Sequence, residues 1–302
     1  MWQALTLQAG YNAALVSLGA AMLGLAAGAV GAFLYLRRRA LVSDAMAHAT
    51  LPGIGLAFLV MAALGGSGRF LPGLMLGAAL TAGLGLLCVQ AISARLAEDA
   101  AIGVVLSTFY GAGIVILTVV QSAGLGRPAG LEGVLLGQAS AMLASDVMVI
   151  AGGAVVILAA LWALRRPFAM VAFDAGHATG LGLPVRALDA ALLALTLGVV
   201  LIGLHVVGLI LIVALLITPA ATGRLWSNRV GVVALIAAGV GAVAGYTGAA
   251  LSAAAPDLPT GAVAVLVAFA AFAISVILAP RGVLARWRLR GRLQGRFRGA
   301  GG

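Results

Sequence analysis

Residues 37–53 read RRRALVSDAMAHATLPG. Three arginines stand at the mouth of a segment that stays apolar to Ala63. Asp44 and His48 lie four residues apart inside it. On a helix, positions i and i+4 share one face. A carboxylate and an imidazole inside an apolar helix are costly and are functional by default in a membrane segment. With Arg39 as the boundary, Asp44 lies roughly 8 Å into the apolar layer and His48 roughly 14 Å, near the middle of a core about 30 Å thick. Pro52 and Gly53 follow one turn later, a pair that loosens a helix and frees carbonyls. These two side chains read as a cation site; carboxylate and imidazole together suit Mn²⁺, Fe²⁺ or Zn²⁺. One pair supplies two ligands, and two copies about a twofold axis supply four. Two other readings stay open: a structural Asp44–His48 pair, and a proton relay.

The rest of the chain has the composition of a membrane protein. Of its 302 residues 63% are hydrophobic and 9% charged, against about 25% charged in soluble domains. All 18 basic residues are arginine. Without a lysine there is no Walker A phosphate loop, so the chain cannot draw on ATP by that route. The net charge of +10 is a question of sidedness, not a nucleic-acid footprint. The single cysteine, Cys88, lies in an apolar run and reads as a small buried hydrophobe. The start of the chain has neither the basic region nor the short apolar core of a secretory signal; residues 1–11 read as an interfacial lead-in.

About 20 apolar residues cross a bilayer. The runs at 12–36, 41–63, 70–93, 100–121, 145–164, 188–205, 207–223, 230–252 and 261–279 predict an all-α polytopic fold of nine spans. Eight is the alternative if residues 203–208 do not turn. Residues 12–280 form the membrane domain, and 281–302 an Arg-rich tail. With the N-terminus outside and the C-terminus cytoplasmic, sixteen of the 18 arginines fall inside, and only Arg69 and Arg127 outside. Pairs such as Gly24 and Gly28, Gly73 and Gly77, or Gly241 and Gly245 fit either close helix packing or chance in a chain with 43 glycines.

Other polar candidates are few. His205, near the outer end of span six, is either an entry-path residue or an interfacial histidine with a hydrogen-bond partner. Glu98 and Asp99 stand where acids complement a helix dipole. Residues 165–187 are the longest polar stretch between spans and hold Asp174, His177, Gly180, Gly182 and Pro184. There is no G-x-S-x-G or H-E-x-x-H motif, which disfavours an intramembrane hydrolase.

Five blocks together resemble the permeases of bacterial manganese/zinc/iron ABC importers: 36–53; EDAAIG at 98–103; LEGVLLGQAS at 131–140; FDAGHATGLGLPVR at 173–186; and VGLILIVALLITPAAT at 207–222. The blocks come in order, and the resemblance covers about residues 10–282. The resemblance implies a type II importer-like permease in the bacterial inner membrane and a second permease subunit, identical or not. It also implies a cytoplasmic ATPase dimer and a periplasmic metal-binding protein. On it, Asp44 and His48 are pore ligands. The segment holding Asp174, His177, Gly180, Gly182 and Pro184 becomes the coupling element that docks on the ATPase. The cargo is manganese first, then zinc or iron, with no resident cofactor. Two positions depart from the pattern: Leu136 replaces the usual Phe, and His205 stands where relatives often have Gln. A proton-coupled secondary transporter using Asp44 and His48 is the alternative.

Overall fold

A backbone surrounded by lipid must satisfy its own hydrogen bonds, which leaves helices and closed barrels; apolar runs of this length select helices. A computed structural model describes residues 11–65, 70–122, 144–206, 208–254 and 258–283. Every regular element among them is an α-helix. These are α1 (Tyr11–Leu36), α2 (Ala40–Ala63), α3 (Leu71–Ser93), α4 (Glu98–Ser122), α5 (Ala144–Phe173), the short α6 (Ala175–Gly180), α7 (Val185–Val206), α8 (Leu209–Trp226), α9 (Val230–Ala254) and α10 (Thr260–Leu278). The 131–140 block, Arg69, Arg127, the lead-in before Tyr11 and the tail beyond Val283 lie outside the described residues.

Eight of these helices are long and apolar enough to cross a membrane. The shorter α8 has 18 residues, or about 27 Å. The turn before it is real: Gly208 has φ of 87°, a conformation glycine accepts without strain. Polar contacts show which way α8 runs. Arg281, beyond α10, donates from Nη1 to the carbonyl of Arg224 in the last turn of α8, at 3.3 Å. Leu36, Ala40, Phe173, Arg224 and Val230 line one cavity. Arg37 pairs with Asp189 in the first turns of α7 at 2.7 Å, and Arg39 with Glu98 at the start of α4 at 3.5 Å. So α1, α5, α8 and α10 end, and α2, α4, α7 and α9 begin, at one arginine-rich end. The apolar helices alternate in direction, α8 included, and α1 starts at the end opposite to where α10 finishes.

One boundary is corrected. Residues 165–173 are not loop: α5 continues through Pro167 to Phe173. Phe168 and Val171 are buried, with the Phe168 ring 5.9 Å from that of Phe33; this apolar contact carries the helix past the arginines. Arg165 lies over the Trp162 ring, 4.4 Å from its centroid. The segment between α5 and α7 is therefore 174–184.

The glycine pairs are packing seams. A Cβ on Gly24 or Gly241 would strike the other's carbonyl, and one on Gly28 that of Ala237. The α1–α9 seam thus brings two backbones into contact, as small residues allow in lipid. Gly53 and Gly77 do the same between α2 and α3. The outer surface is apolar, with Leu76, Leu80, Leu84 and Leu87 along α3 all more than half exposed. Buried hydroxyls of Thr50, Thr196 and Thr222 bond carbonyls three or four residues back, so none needs a partner from lipid.

Candidate metal site

α2 is walled in by its neighbours. From position 41 to position 55 only Leu41, Asp44 and His48 are not buried. Their spacing of three and four residues makes a single stripe. Asp44 Oδ1 lies 3.5 Å from His48 Nε2, with side-chain exposures of 36% and 16%. Both groups therefore face out of this chain's core, through a gap in the bundle. Tyr110 on α4 closes one side, its ring edge-on to His48 with centroids 5.1 Å apart. His48 Nδ1 is buried without a hydrogen-bond partner. Among the described residues no three His, Cys, Asp or Glu side chains gather at one place.

Pro52 does not break α2, which runs on to Ala63. Its ring is buried under α4, where a Cβ on Gly113 would come within 3.2 Å of Pro52 Cδ, and neighbouring Gly53 meets Gly77. The pair is a packing notch between α3 and α4. Pro52 still has no N–H to offer the carbonyl four residues back, which is that of His48. The backbone oxygen of the candidate ligand thus loses its helical donor.

The ABC 3 transport family matches residues 11–279. The chain belongs to the ABC 3 transport family. It is a membrane transport subunit of that family, a multi-pass protein of the bacterial inner membrane. It is 41% identical to the manganese transport system membrane protein MntC of Bacillus subtilis over 293 residues, covering 96% of this chain and 66% of that one, so it spans just under two thirds of that relative's length. It is 38% identical to the zinc transport system membrane protein TroC of Treponema pallidum, covering 91% and 92%. Its fold matches a chain of PsaBC from Streptococcus pneumoniae in complex with Fab, with a TM-score of 0.81 and 29% identity over 95% of this chain and 100% of that one.

In this ABC 3 permease the remaining candidates lie apart from Asp44 and His48. Asp174 caps α6, its Oδ1 accepting from the backbone N–H of His177 at 3.0 Å. His177 is exposed. The helix ends in a Schellman turn: Leu183 N–H donates to the Ala178 carbonyl at 3.1 Å and Gly182 N–H to that of Thr179 at 2.9 Å, with Gly182 at φ 81°. Gly180 and Pro184 are exposed on either side of this turn. Only Ala178 of α6 is buried, so the element stands out from the arginine end on a single apolar foot. The backbone of His205 sits in the last turn of α7, at the other end; its side chain lies outside what is described.

Two residues escaped the sequence reading. Asp189 takes a two-pronged contact from Arg37, at 3.0 Å to Oδ1 and 2.7 Å to Oδ2, with Arg39 3.7 Å away. Arg37 also donates to the carbonyl of Val171 at 2.9 Å. This knot ties α1, α2, α5 and α7 together beside α6. Tyr110 is the other. Its signal was available, since a tyrosine about 18 Å into a helix is far from the headgroup level where tyrosines collect.

Proposed function

We propose that this permease carries a divalent transition metal into the cytoplasm, with Asp44 and His48 as cargo ligands. The spacing of that pair carries the reading. An ion about 2.1 Å from each of two donors at a near-tetrahedral angle separates them by about 3.5 Å, and Nε2 and Oδ1 stand 3.5 Å apart. Half a coordination shell opening outward asks for the other half from elsewhere, and a second permease subunit supplies it. The face of α4 beside Tyr110 supports that partner. Alongside Val104 and Val115 it exposes Gly103, Ser107, Thr108 and Gly111, where α3 exposes a row of leucines.

Manganese is the first choice and zinc or iron next. The relative at 41% identity is a manganese system and the one at 38% a zinc system, and the ligand types accept all three. The arginine end faces the cytoplasm, by the positive-inside rule. There an ATPase dimer would dock on the 174–184 segment, and a periplasmic metal-binding protein would deliver cargo at the opposite end. ATP binding would rock the helices about the site and release the ion inward. A proton-coupled transporter is the second reading, because the Asp44–His48 contact would also relay a proton.

Uptake of radiolabelled manganese into vesicles separates the two. With the partner ATPase present, uptake should require ATP, be insensitive to a collapsed proton gradient and be absent in Asp44→Ala. Gradient-driven uptake by the chain alone would reject the import reading in favour of the relay.

A further inference from the structure

The arginine triplet is shared between two cavities of opposite character, each about 450 Å³. Arg39 and Arg186 line the first together with Glu98 and Asp189, so its charges balance. Arg38 and Arg224 line the second with Tyr35 and Asn228, and among the described residues its lining holds no carboxylate. The salt bridges of the triplet belong to Arg37 and Arg39. Arg224 Nη1 donates to neutral oxygens, those of Asn228 and the Ser227 carbonyl, and among the described residues no carboxylate forms a salt bridge with it. Arg281, bonded to the Arg224 carbonyl, adds a third cation beside it.

Arg38 is held there against its backbone preference. Its φ is 59°, and its N–H donates to the Tyr35 carbonyl while that of Arg39 reaches Leu34. This is the Schellman position where glycine is usual, and a residue with a Cβ is disfavoured there. The turn sends Arg38 to the side away from Asp189 and Glu98. Like charges gathered in a concavity at strained backbone call for an anion. Beside them Leu41 is 53% exposed and Phe173 74%, and both line the same cavity, which lies at the ends of membrane-crossing helices. Paired guanidinium groups suit a phosphate oxyanion, and basic pockets between helices at this level take anionic headgroups.

We propose that Arg38 and Arg224 hold the phosphate of an anionic phospholipid, with its acyl chains over Phe173. A phosphate there would also offset part of the triplet's repulsion toward a dication at Asp44. The lipid site itself does not depend on the transport reading.

The test is native mass spectrometry of the delipidated full-length chain, alone and with its ATPase, after adding phosphatidylglycerol or phosphatidylcholine. Wild type should retain phosphatidylglycerol about 10- to 30-fold better. The preference should disappear in Arg38→Gln/Arg224→Gln and persist in Arg38→Lys/Arg224→Lys and in Arg186→Gln. Millimolar inorganic phosphate should not displace the lipid. The proposal falls if the glutamine pair keeps the preference, or if Arg186→Gln loses it equally. It also falls if inorganic phosphate competes fully, which would make this a free-anion site, or if the ATPase expels the lipid, which would make it a docking surface. Should the glutamine pair misfold, photo-crosslinking of wild type with a diazirine-bearing phosphatidylglycerol decides. Label within 35–41 and 224–230 supports the site, and label only elsewhere refutes it.

Discussion

Asp44 and His48 were placed together by helix geometry alone, but what surrounds them came from another helix. Tyr110 meets His48 edge-on, so the ring fixes the imidazole by shape and not by its hydroxyl. Tyr110→Phe is expected to leave metal affinity within about 2-fold, whereas Tyr110→Ala, which frees the imidazole, should weaken it by about 10-fold or more, as loss of a ligand's supporting contact does. Titration calorimetry on the purified complex measures both. The chemistry of imidazole sets a second expectation. Only the neutral ring has a lone pair to give, so protons compete with the metal and affinity weakens as the medium is acidified. Metal affinity independent of pH on the acid side of neutrality would remove His48 from the ligand set.

At the scale of elements, two kinds of contact hold the helices in register. The α1–α9 seam is backbone against backbone, so Gly241→Leu drives a side chain into the Gly24 carbonyl. Overpacking costs typically about 1–3 kcal/mol, and with rigid backbone on the far side the upper end applies. A lowered melting temperature and loss of folded chain in detergent should follow, while Gly239→Ala, with open space around it, should be silent. The second contact is polar. The Arg37–Asp189 pair is about one-sixth exposed on each side. Removing the carboxylate leaves a guanidinium facing a wall, at a cost of about 1–3 kcal/mol once access of water is allowed for. Asp189→Ala should therefore destabilise the fold. The exchange Arg37→Asp with Asp189→Arg should recover part of the loss, as judged by thermal unfolding. These elements also show where the sequence was opaque. The residues that pair are 152 positions apart, and no local period reports such a pairing. By contrast α6 was legible as a protruding segment from its glycines and proline, although its start was misplaced by nine residues, because arginines that snorkel look like a helix end when Phe168 and Val171 are not known to be buried.

For the whole molecule the issue is sidedness. Leu96, between α3 and α4, is 56% exposed, and Leu258, between α9 and α10, 45%; they stand at opposite ends of the bundle. In a Cys88→Ser background, Leu96→Cys should react with a membrane-impermeant maleimide only from the cytoplasmic face and Leu258→Cys only from outside. The reverse pattern would invert the transport direction proposed here. Labelling of both from one face would contradict the odd number of crossings between them that the shared cavity of Leu36, Phe173 and Arg224 requires.

Sequence by itself determined the material of this protein: apolar runs long enough to cross a bilayer, arginines gathered between them, and an acid and a histidine one turn apart in a greasy helix. These follow from local periodicity and from the cost of burying charge, both of which act within a few residues. Tertiary structure alone decided that Asp189 anchors the triplet, that Tyr110 backs His48, and that Arg38 turns from its neighbours toward a cavity whose described lining has no acid. Each of these depends on which helices lie side by side. That choice is made by backbone contact at glycine seams distant in the chain, where the energy belongs to pairs of surfaces and to no single stretch.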